Sequence, residues 1–200
     1  LTKGTGTVAI NLSKGQKLDL SKDSSLTQVR LGLGWDPIKT KGLFGRIKEK
    51  AVDLDASVIG YDAAGNLLEV VFYGSLRSVN GSIIHHGDNL TGAGEGDDEV
   101  IDINLPGVDA RVAFLALVIT SYSGDQFSNI DNAFVRVENV ATRQEMARFS
   151  MTEKGSHTGL MVALLARVGR GWELRAIGDP LPGAARTPRD VIDPVKRYLV

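Results

Sequence analysis

Apolar and polar residues alternate along several short stretches of the chain, and this pattern predicts β-strands. The clearest example lies between residues 26 and 35, where Val29, Leu31, Leu33 and Trp35 fall on one face and glycine or polar residues on the other. A period of two residues is that of a strand with one buried face. We therefore expect this stretch to cover a hydrophobic core.

Further stretches with strand-like patterns are separated by turn residues such as glycine, proline and asparagine. They cover residues 8–12, 53–60, 67–73, 82–86, 100–105, 111–120, 133–139, 145–151, 160–168 and 172–177. The run at 111–120 is the most apolar and predicts a central strand that is buried on both sides. Residues 160–168 have a composition that also suits a helix, but the glycine-rich turn and the alternating stretch after them favour a pair of strands.

Closely spaced strands with turns between them predict an all-β fold, an antiparallel β-sandwich of two sheets with short helical turns in its loops. One such turn is expected at 127–131. A chain of 200 residues is long enough for one domain with its own core, which we assign to residues 1–178. Residues 179–200 form a tail rich in proline and arginine, expected to be extended and to dock through Val191, Ile192, Tyr198 and Leu199.

The most distinctive stretch is the loop from Gly87 to Glu99. Its five carboxylates belong to Asp88, Glu95, Asp97, Asp98 and Glu99, and glycines lie between them. Because glycine permits tight turns, these carboxylates and nearby carbonyls can converge, and oxygen ligands favour calcium, magnesium or manganese. The alternative is a solvated, mobile acidic loop.

Two further carboxylates support a cation site. Asp53 and Asp55 fall on one face of the strand predicted at 53–60, where they would be out of place in a core and would suit the wall of such a site. His85 and His86 precede the acidic loop, and because they are neighbours in a strand only one of them can face it.

The composition is that of an ordinary globular protein, with 42% hydrophobic residues and a formal net charge of −1. Near-neutral charge argues against a whole surface built for nucleic acid or membrane. The absence of cysteine excludes disulfides, thiolate metal sites and a cysteine nucleophile. The longest apolar run, 112–119, is too short to span a bilayer. The first residues lack the apolar core of a secretory signal, so we expect a cytoplasmic location.

Residues 39–50 differ from the rest because five of them are basic and one is acidic. Leu43, Phe44 and Ile47 add apolar side chains. This pattern is typical of a solvated loop or a short amphipathic helix, and a contact for an acidic partner or phosphate is the alternative.

Five motifs occur in a defined order along the chain. They are Val29-Arg30-Leu31-Gly32-Leu33-Gly34-Trp35-Asp36-Pro37, Asp53-Leu54-Asp55-Ala56-Ser57, the loop from Gly87 to Glu99, Asp131-Asn132-Ala133-Phe134-Val135-Arg136-Val137 and Arg175-Ala176-Ile177-Gly178. In this order they resemble the TerD-like family of tellurium-resistance and stress proteins. The resemblance covers roughly residues 5–178.

The resemblance implies a two-sheet β-sandwich that binds one or two calcium ions at an acidic edge. The ligands that it implies are Asp53, Asp55, Asp88, Asn89, Asp97, Asp98 and Glu99, with the backbone of Leu90 and Gly92 as further contributors. Family members often have Asp where this chain has Glu95, whose longer carboxylate arm can still ligate.

The resemblance also implies a function. We expect a stress-response protein in which calcium stiffens the loops and gates docking to other tellurite-resistance and stress proteins. Association with membranes would be indirect, through such partners, and no nucleic acid is expected. Without cysteine, direct chemistry on a tellurium oxyanion is not expected.

Two alternatives stay open. One is a metal-dependent enzyme acting on a phosphorylated or nucleotide substrate, although no set of nucleophile, base and orienting residue is readable. The other is a metal-independent structural interaction module that self-associates, with the acidic loop of one subunit paired to the basic segment of another.

Overall fold

The fold is an antiparallel β-sandwich of two sheets with short helical turns, as the strand pattern predicts. The computed structural model describes residues 12–23, 26–41, 46–92, 96–151 and 155–200. Within these residues thirteen strands form sheets of six, five and two strands. Of the strand predicted at 8–12, the described part is Leu12, which forms a single parallel bridge to Ala147.

The larger sheet has six strands. Side by side they are β1 (Lys17–Asp19), β13 (Gly171–Pro180), β12 (Gly159–Val168), β9 (Phe114–Ser121), β5 (Leu54–Tyr61) and β6 (Leu67–Val71). The final pair of strands, β12 and β13, confirms the choice of strands over a helix at 160–168. Strand β5 pairs with β9 along its whole length, whereas β6 covers only its second half, from Val58 onward. The first half of β5 therefore lacks a strand on that side.

The smaller sheet has five strands. Side by side they are β11 (Gln144–Ser150), β10 (Phe134–Asn139), β2 (Gln28–Gly34), β8 (Glu99–Asn104) and β7 (Ile83–His85). Strand β2 lies in the centre, and Val29, Leu31, Leu33 and Trp35 cover the core, as its alternating pattern predicts. Strands β7 and β8 flank the acidic loop, so this loop connects an edge strand to its neighbour at one end of the sandwich.

The main core lies between the two sheets. Leu31 and Leu33 of β2 and Leu117 of β9 belong to one buried cluster. The alternate residues of β9, Ala116 and Val118, are buried in a second cluster on the outer face of the larger sheet. Strand β9 is thus buried on both faces, which confirms the prediction for 111–120. The helical turn predicted at 127–131 is present over 127–129.

The basic segment forms a two-stranded ribbon of β3 (Ile38–Lys41) and β4 (Ile47–Lys50), separate from both sheets. The expectation of a loop or a short amphipathic helix is wrong for these residues. In the antiparallel register Ile38 lies opposite Lys50, and Ile38 packs against the main core. Of the apolar residues noted in this segment, Leu43 and Phe44 lie outside the described residues and Ile47 is exposed.

The tail contains the helix α1 (Pro188–Val195), where an extended segment is expected from the prolines. This expectation is wrong because proline is tolerated in the first turn of a helix, where its missing N–H has no partner to lose. Asp190 accepts hydrogen bonds from the N–H and the hydroxyl of Thr187, at 2.8 and 3.2 Å, and so caps the first turn.

The tail docks on the outer face of the larger sheet, through the apolar residues that the sequence singles out. Val191 of α1 is fully buried there, and Ile192, Tyr198 and Leu199 pack against the same cluster. The hydroxyl of Tyr61 in β5 donates a hydrogen bond to the carbonyl of Ile192 at 2.6 Å. In the described part of the chain, no helix is long and apolar enough to cross a membrane.

Replacing Val191 by Asp is expected to lower the free energy of unfolding by about 2–4 kcal/mol, because it buries an unpaired carboxylate between α1 and the sheet. Urea unfolding measures the change. The control is Arg189→Asp at an exposed position of the same helix, which should change this free energy by less than about 0.5 kcal/mol. Equal effects of the two substitutions would show that α1 does not pack on the sheet in solution.

Candidate metal centre

Three carboxylates converge at the end of the sandwich where the acidic loop lies. They belong to Asp53, Asp55 and Asp88, and one oxygen of each lies within 4.8 Å of the others. Asp53 directly precedes β5 and Asp55 is its second residue, and the alternation of the extended chain places both on one face. Asp88 comes from the loop after β7, which Gly87 turns with a φ of +126°. This φ lies in the region that favours glycine.

The cluster leaves carboxylate oxygens without hydrogen-bond donors. Asp55 is 1% exposed, and Oδ2 of Asp55 and Oδ1 of Asp53 are buried with no hydrogen-bond partner in the described residues. Burial, and then repulsion from Glu99, Asp53 and Asp88, raises the pKa of Asp55 to about 8. Burial and repulsion from Asp88 also raise the pKa of Asp53. The site therefore holds negative charge that the described side chains do not compensate.

Glu99 lies beside the cluster and closes the open side of β5. Its Oε2 accepts a hydrogen bond from the Ala56 N–H at 2.8 Å, where β6 supplies no strand partner, and its Oε1 accepts one from the Asn89 N–H at 3.3 Å. Nε2 of His85 lies 3.4 Å from Oε2. Burial raises the pKa of Glu99, although the nearby His85 acts in the opposite direction.

The two histidines face opposite ways, as their adjacency predicts. His85 is buried beside Glu99, whereas Nε2 of His86 lies 2.9 Å from Asp102 on the other face. Asp102 also forms two hydrogen bonds with Arg30, at 2.8 and 2.9 Å. Burial acts to raise the pKa of Asp102, but these partners outweigh it and lower the pKa.

Asn89 and Asp98 shape the loop through hydrogen bonds. The side-chain oxygen of Asn89 accepts from the N–H groups of Thr91 and Gly92, and its amide donates to Asp98 at 2.8 Å. The other oxygen of Asp98 accepts from the Trp35 N–H at 2.9 Å. Gly92 has a φ of +67°, and a Cβ there would overlap the Trp35 indole, so this position requires glycine.

Asp97 lies away from the cluster, on the outer face of the smaller sheet. It accepts hydrogen bonds from the guanidinium of Arg136 at 2.8 and 2.9 Å. It sits directly over Gly32 of β2, where a Cβ would overlap its carboxylate. Its position favours an ion pair that braces the loop over the ligand role that the resemblance implies for Asp97. Glu95 lies outside the described residues.

The rim of the cluster is apolar and aromatic. Asp53, Asp55 and Asp88 line a surface pocket of about 180 Å³ together with Leu90, Tyr73 and Tyr122. Leu90 is 59% exposed and Tyr122 is 50% exposed. The rings of Tyr73 and Tyr122 meet edge to face, with centroids 5.9 Å apart. These tyrosines carry no signal in the sequence, because only folding brings the chain after β6 and the chain after β9 together.

The chemistry of the donors fits a hard divalent cation. All three converging side chains offer carboxylate oxygens, and buried carboxylates without donors are stabilised by a charge of opposite sign. Three side chains leave part of a six- to eight-oxygen calcium shell to the backbone, to water or to an external ligand. The pocket opens to solvent at the place where such a ligand would enter.

Comparison with known proteins places the chain in a family. The TerD domain matches residues 8–185. The chain is 42% identical over 177 residues to tellurium resistance protein TerZ of Serratia marcescens, covering 87% of this chain and 91% of that protein. It is 40% identical over 185 residues to general stress protein 16U of Bacillus subtilis strain 168, covering 88% of this chain and 93% of that protein.

The fold also resembles a solved structure. It is similar to the crystal structure of a homologue of telluride resistance protein (TerD) from Streptomyces coelicolor A3(2), with a TM-score of 0.69 over 84% of this chain and 95% of that one. At 22% identity this similarity concerns the fold alone. It agrees with the two-sheet sandwich described above.

In the metal-free protein, the raised pKa of Asp55 should make stability fall as the pH rises. Below the ordinary pKa of 3.8 the carboxyl group is protonated in both the folded and the unfolded chain. Above it the unfolded chain loses its proton first, so the free energy of unfolding declines until the pH passes about 8. Asp55→Asn removes this contribution and should flatten the decline.

Urea unfolding of metal-stripped protein across this pH range measures the effect. At the alkaline end Asp55→Asn should be more stable than the parent protein by on the order of 1–3 kcal/mol. The control is Asp193→Asn, which changes an exposed carboxylate of α1 and should leave the profile unaltered. A profile of Asp55→Asn identical to that of the parent would contradict the placement of Asp55.

Proposed function

This chain belongs to the TerD family of tellurium-resistance and stress-response proteins, and we propose that it binds calcium at Asp53, Asp55 and Asp88. The bound ion would organise the surrounding loops into a docking surface for partner proteins. The observation that carries the proposal is the buried oxygen of Asp55, which has no hydrogen-bond donor among the described residues. A divalent cation would supply the missing positive charge.

The choice of calcium follows from the donors and the shape of the site. The three side chains offer only oxygen, and magnesium demands a near-ideal octahedral shell, which three carboxylates from separate elements do not by themselves supply. Calcium accepts irregular shells of six to eight oxygens, to which the backbone of Leu90 and Gly92 can add. When bound, calcium would neutralise the cluster and leave coordination positions open toward solvent.

The rim of the pocket supports a role in docking. Leu90 and Tyr122 are large apolar or aromatic residues held at the surface beside the cluster. Tyrosine is enriched in the centres of protein interfaces, and Leu90 adds exposed apolar surface beside it. A partner that brings an acidic group to the ion and an apolar group to the rim would satisfy both features. We propose other tellurite-resistance and stress proteins as these partners, since the relatives are named for those responses.

The proposed role is binding and not catalysis. Two of the three histidines are engaged with carboxylates, His85 with Glu99 and His86 with Asp102, and His157 is exposed. A cytoplasmic site of action and indirect contact with membranes stay predictions from the sequence.

Thermal unfolding of the metal-stripped protein tests calcium binding. A ligand that binds only the folded state, at a hundred times its Kd, adds about 2.7 kcal/mol to the free energy of unfolding. For a chain of this size the midpoint should then rise by about 5–10 °C. Magnesium at the same concentration should produce a much smaller rise. No rise with either ion would reject the proposal and favour a metal-independent interaction module.

Substitution of two aspartates in the acidic loop distinguishes a residue that binds the ion from one that stabilises the loop through an ion pair. Asp88→Asn removes a charged member of the cluster and should weaken calcium binding by about tenfold or more, measured by calorimetric titration. Asp97→Asn should leave calcium affinity within about threefold, because its charge lies outside the cluster. It should instead lower the free energy of unfolding by about 1–3 kcal/mol, since Arg136 loses a partner. Equal losses of calcium affinity in Asp88→Asn and Asp97→Asn would contradict the assignment of Asp88 as a ligand and of Asp97 as an ion-pair partner.

A further inference from the structure

The ribbon of β3 and β4 carries positive charge that its surroundings do not neutralise. Five of the residues in 39–50 are basic and one is acidic. Lys39, Arg46 and Lys48 are exposed and form no ion pair within the described residues. Lys50 differs, because its Nζ contacts Asp125 at the base of the ribbon. Three cations are therefore available to an external anion.

The register of the ribbon places these cations on both of its faces. Lys39 lies opposite Glu49, and Lys48 lies opposite Thr40. Opposed residues share a face and successive residues alternate, so Lys39 and Lys48 point to opposite sides. A flat anionic surface would engage one of these faces. A groove with anionic walls on both sides would engage both.

The base of the ribbon is fixed to the sandwich. Trp35 precedes β3, Val52 follows β4, and the indole N–H of Trp35 donates to the Val52 carbonyl at 2.9 Å. Ile38 packs against the main core. Arg46, Ile47 and Lys48, farther from this base, are exposed. The ribbon is thus an anchored arm with a charged outer part.

We propose that this ribbon binds the groove of duplex DNA by contacting phosphates on both walls, without reading the base sequence. A two-stranded ribbon fits the major groove of B-DNA, which is about 12 Å wide. Lysine and arginine contacts to phosphate supply affinity that does not depend on sequence. From the near-neutral net charge of the whole chain we expect no nucleic acid. That argument excludes a broad basic surface, but it does not apply to a small, localised group of basic residues such as the ribbon. This proposal is independent of calcium binding.

Fluorescence anisotropy with a labelled random-sequence DNA duplex, at several salt concentrations, tests the proposal. The logarithm of the association constant should fall with the logarithm of salt with a slope of about −2 to −3, as expected for three phosphate contacts. The triple variant Lys39→Ala, Arg46→Ala, Lys48→Ala should bind about tenfold or more weakly and with a shallower slope. Its thermal midpoint should match that of the parent, because the three side chains lie outside both sheets.

A matched variant controls for net charge. Arg77→Ala, Arg170→Ala, Arg189→Ala removes the same charge from exposed positions elsewhere, and it should retain the parent's DNA affinity. Anionic phosphatidylglycerol vesicles and polyglutamate serve as competing anions of other shapes. Absence of DNA binding at low salt, equal losses in the two triple variants, or ribbon-dependent binding of vesicles or polyglutamate in preference to DNA would each overturn the proposal.

Discussion

A buried carboxylate oxygen of Asp55 has no hydrogen-bond donor among the described residues, and the candidate site is built around it. Asp55 is enclosed by β5, β9 and the acidic loop, and Asp53, Asp88 and Glu99 add negative charge around it. Such a group is stable only if it takes up a proton or meets a cation. In the metal-free protein the carboxyl group of Asp55 can take up a proton, and the free energy of unfolding then falls as the pH rises. Under the proposed function, a bound divalent ion would resolve the same conflict at neutral pH and would join β5 to the loop.

Trp35 connects this site to the rest of the molecule. Its backbone N–H binds Asp98, its indole N–H binds the carbonyl of Val52, and its ring packs against Gly92. Trp35 thus contacts the acidic loop, the chain just before β5 and the base of the ribbon. If the acidic loop becomes more ordered, we therefore expect the ribbon to become more ordered as well. The effect would pass through the direct contacts of Trp35 and not through a change in the two sheets.

The sandwich is predictable because a period of two residues specifies which side of a strand is buried, as in β2, and an unbroken apolar run indicates a strand buried on both sides, as in β9. The same rule brings Asp53 and Asp55 to one face. Contacts between distant elements lie beyond this rule. The pairing of Asp97 with Arg136 depends on which strand lies beside β2, and the tyrosine rim depends on two separate loops. The helix α1 is not predicted from the sequence, because its prolines favour an extended segment. It is stabilised by capping by Asp190 and by burial of Val191.

Terbium luminescence tests the central claim most directly, because terbium replaces calcium at oxygen sites and is excited by nearby aromatic rings. Tyr73 and Tyr122 line the pocket that holds the three carboxylates. Excitation of tyrosine should produce terbium emission in the parent protein, and calcium should displace the ion and quench the signal. Asp55→Asn should abolish it. Full emission from Asp55→Asn, or no emission from the folded parent protein, would contradict a cation site at this cluster.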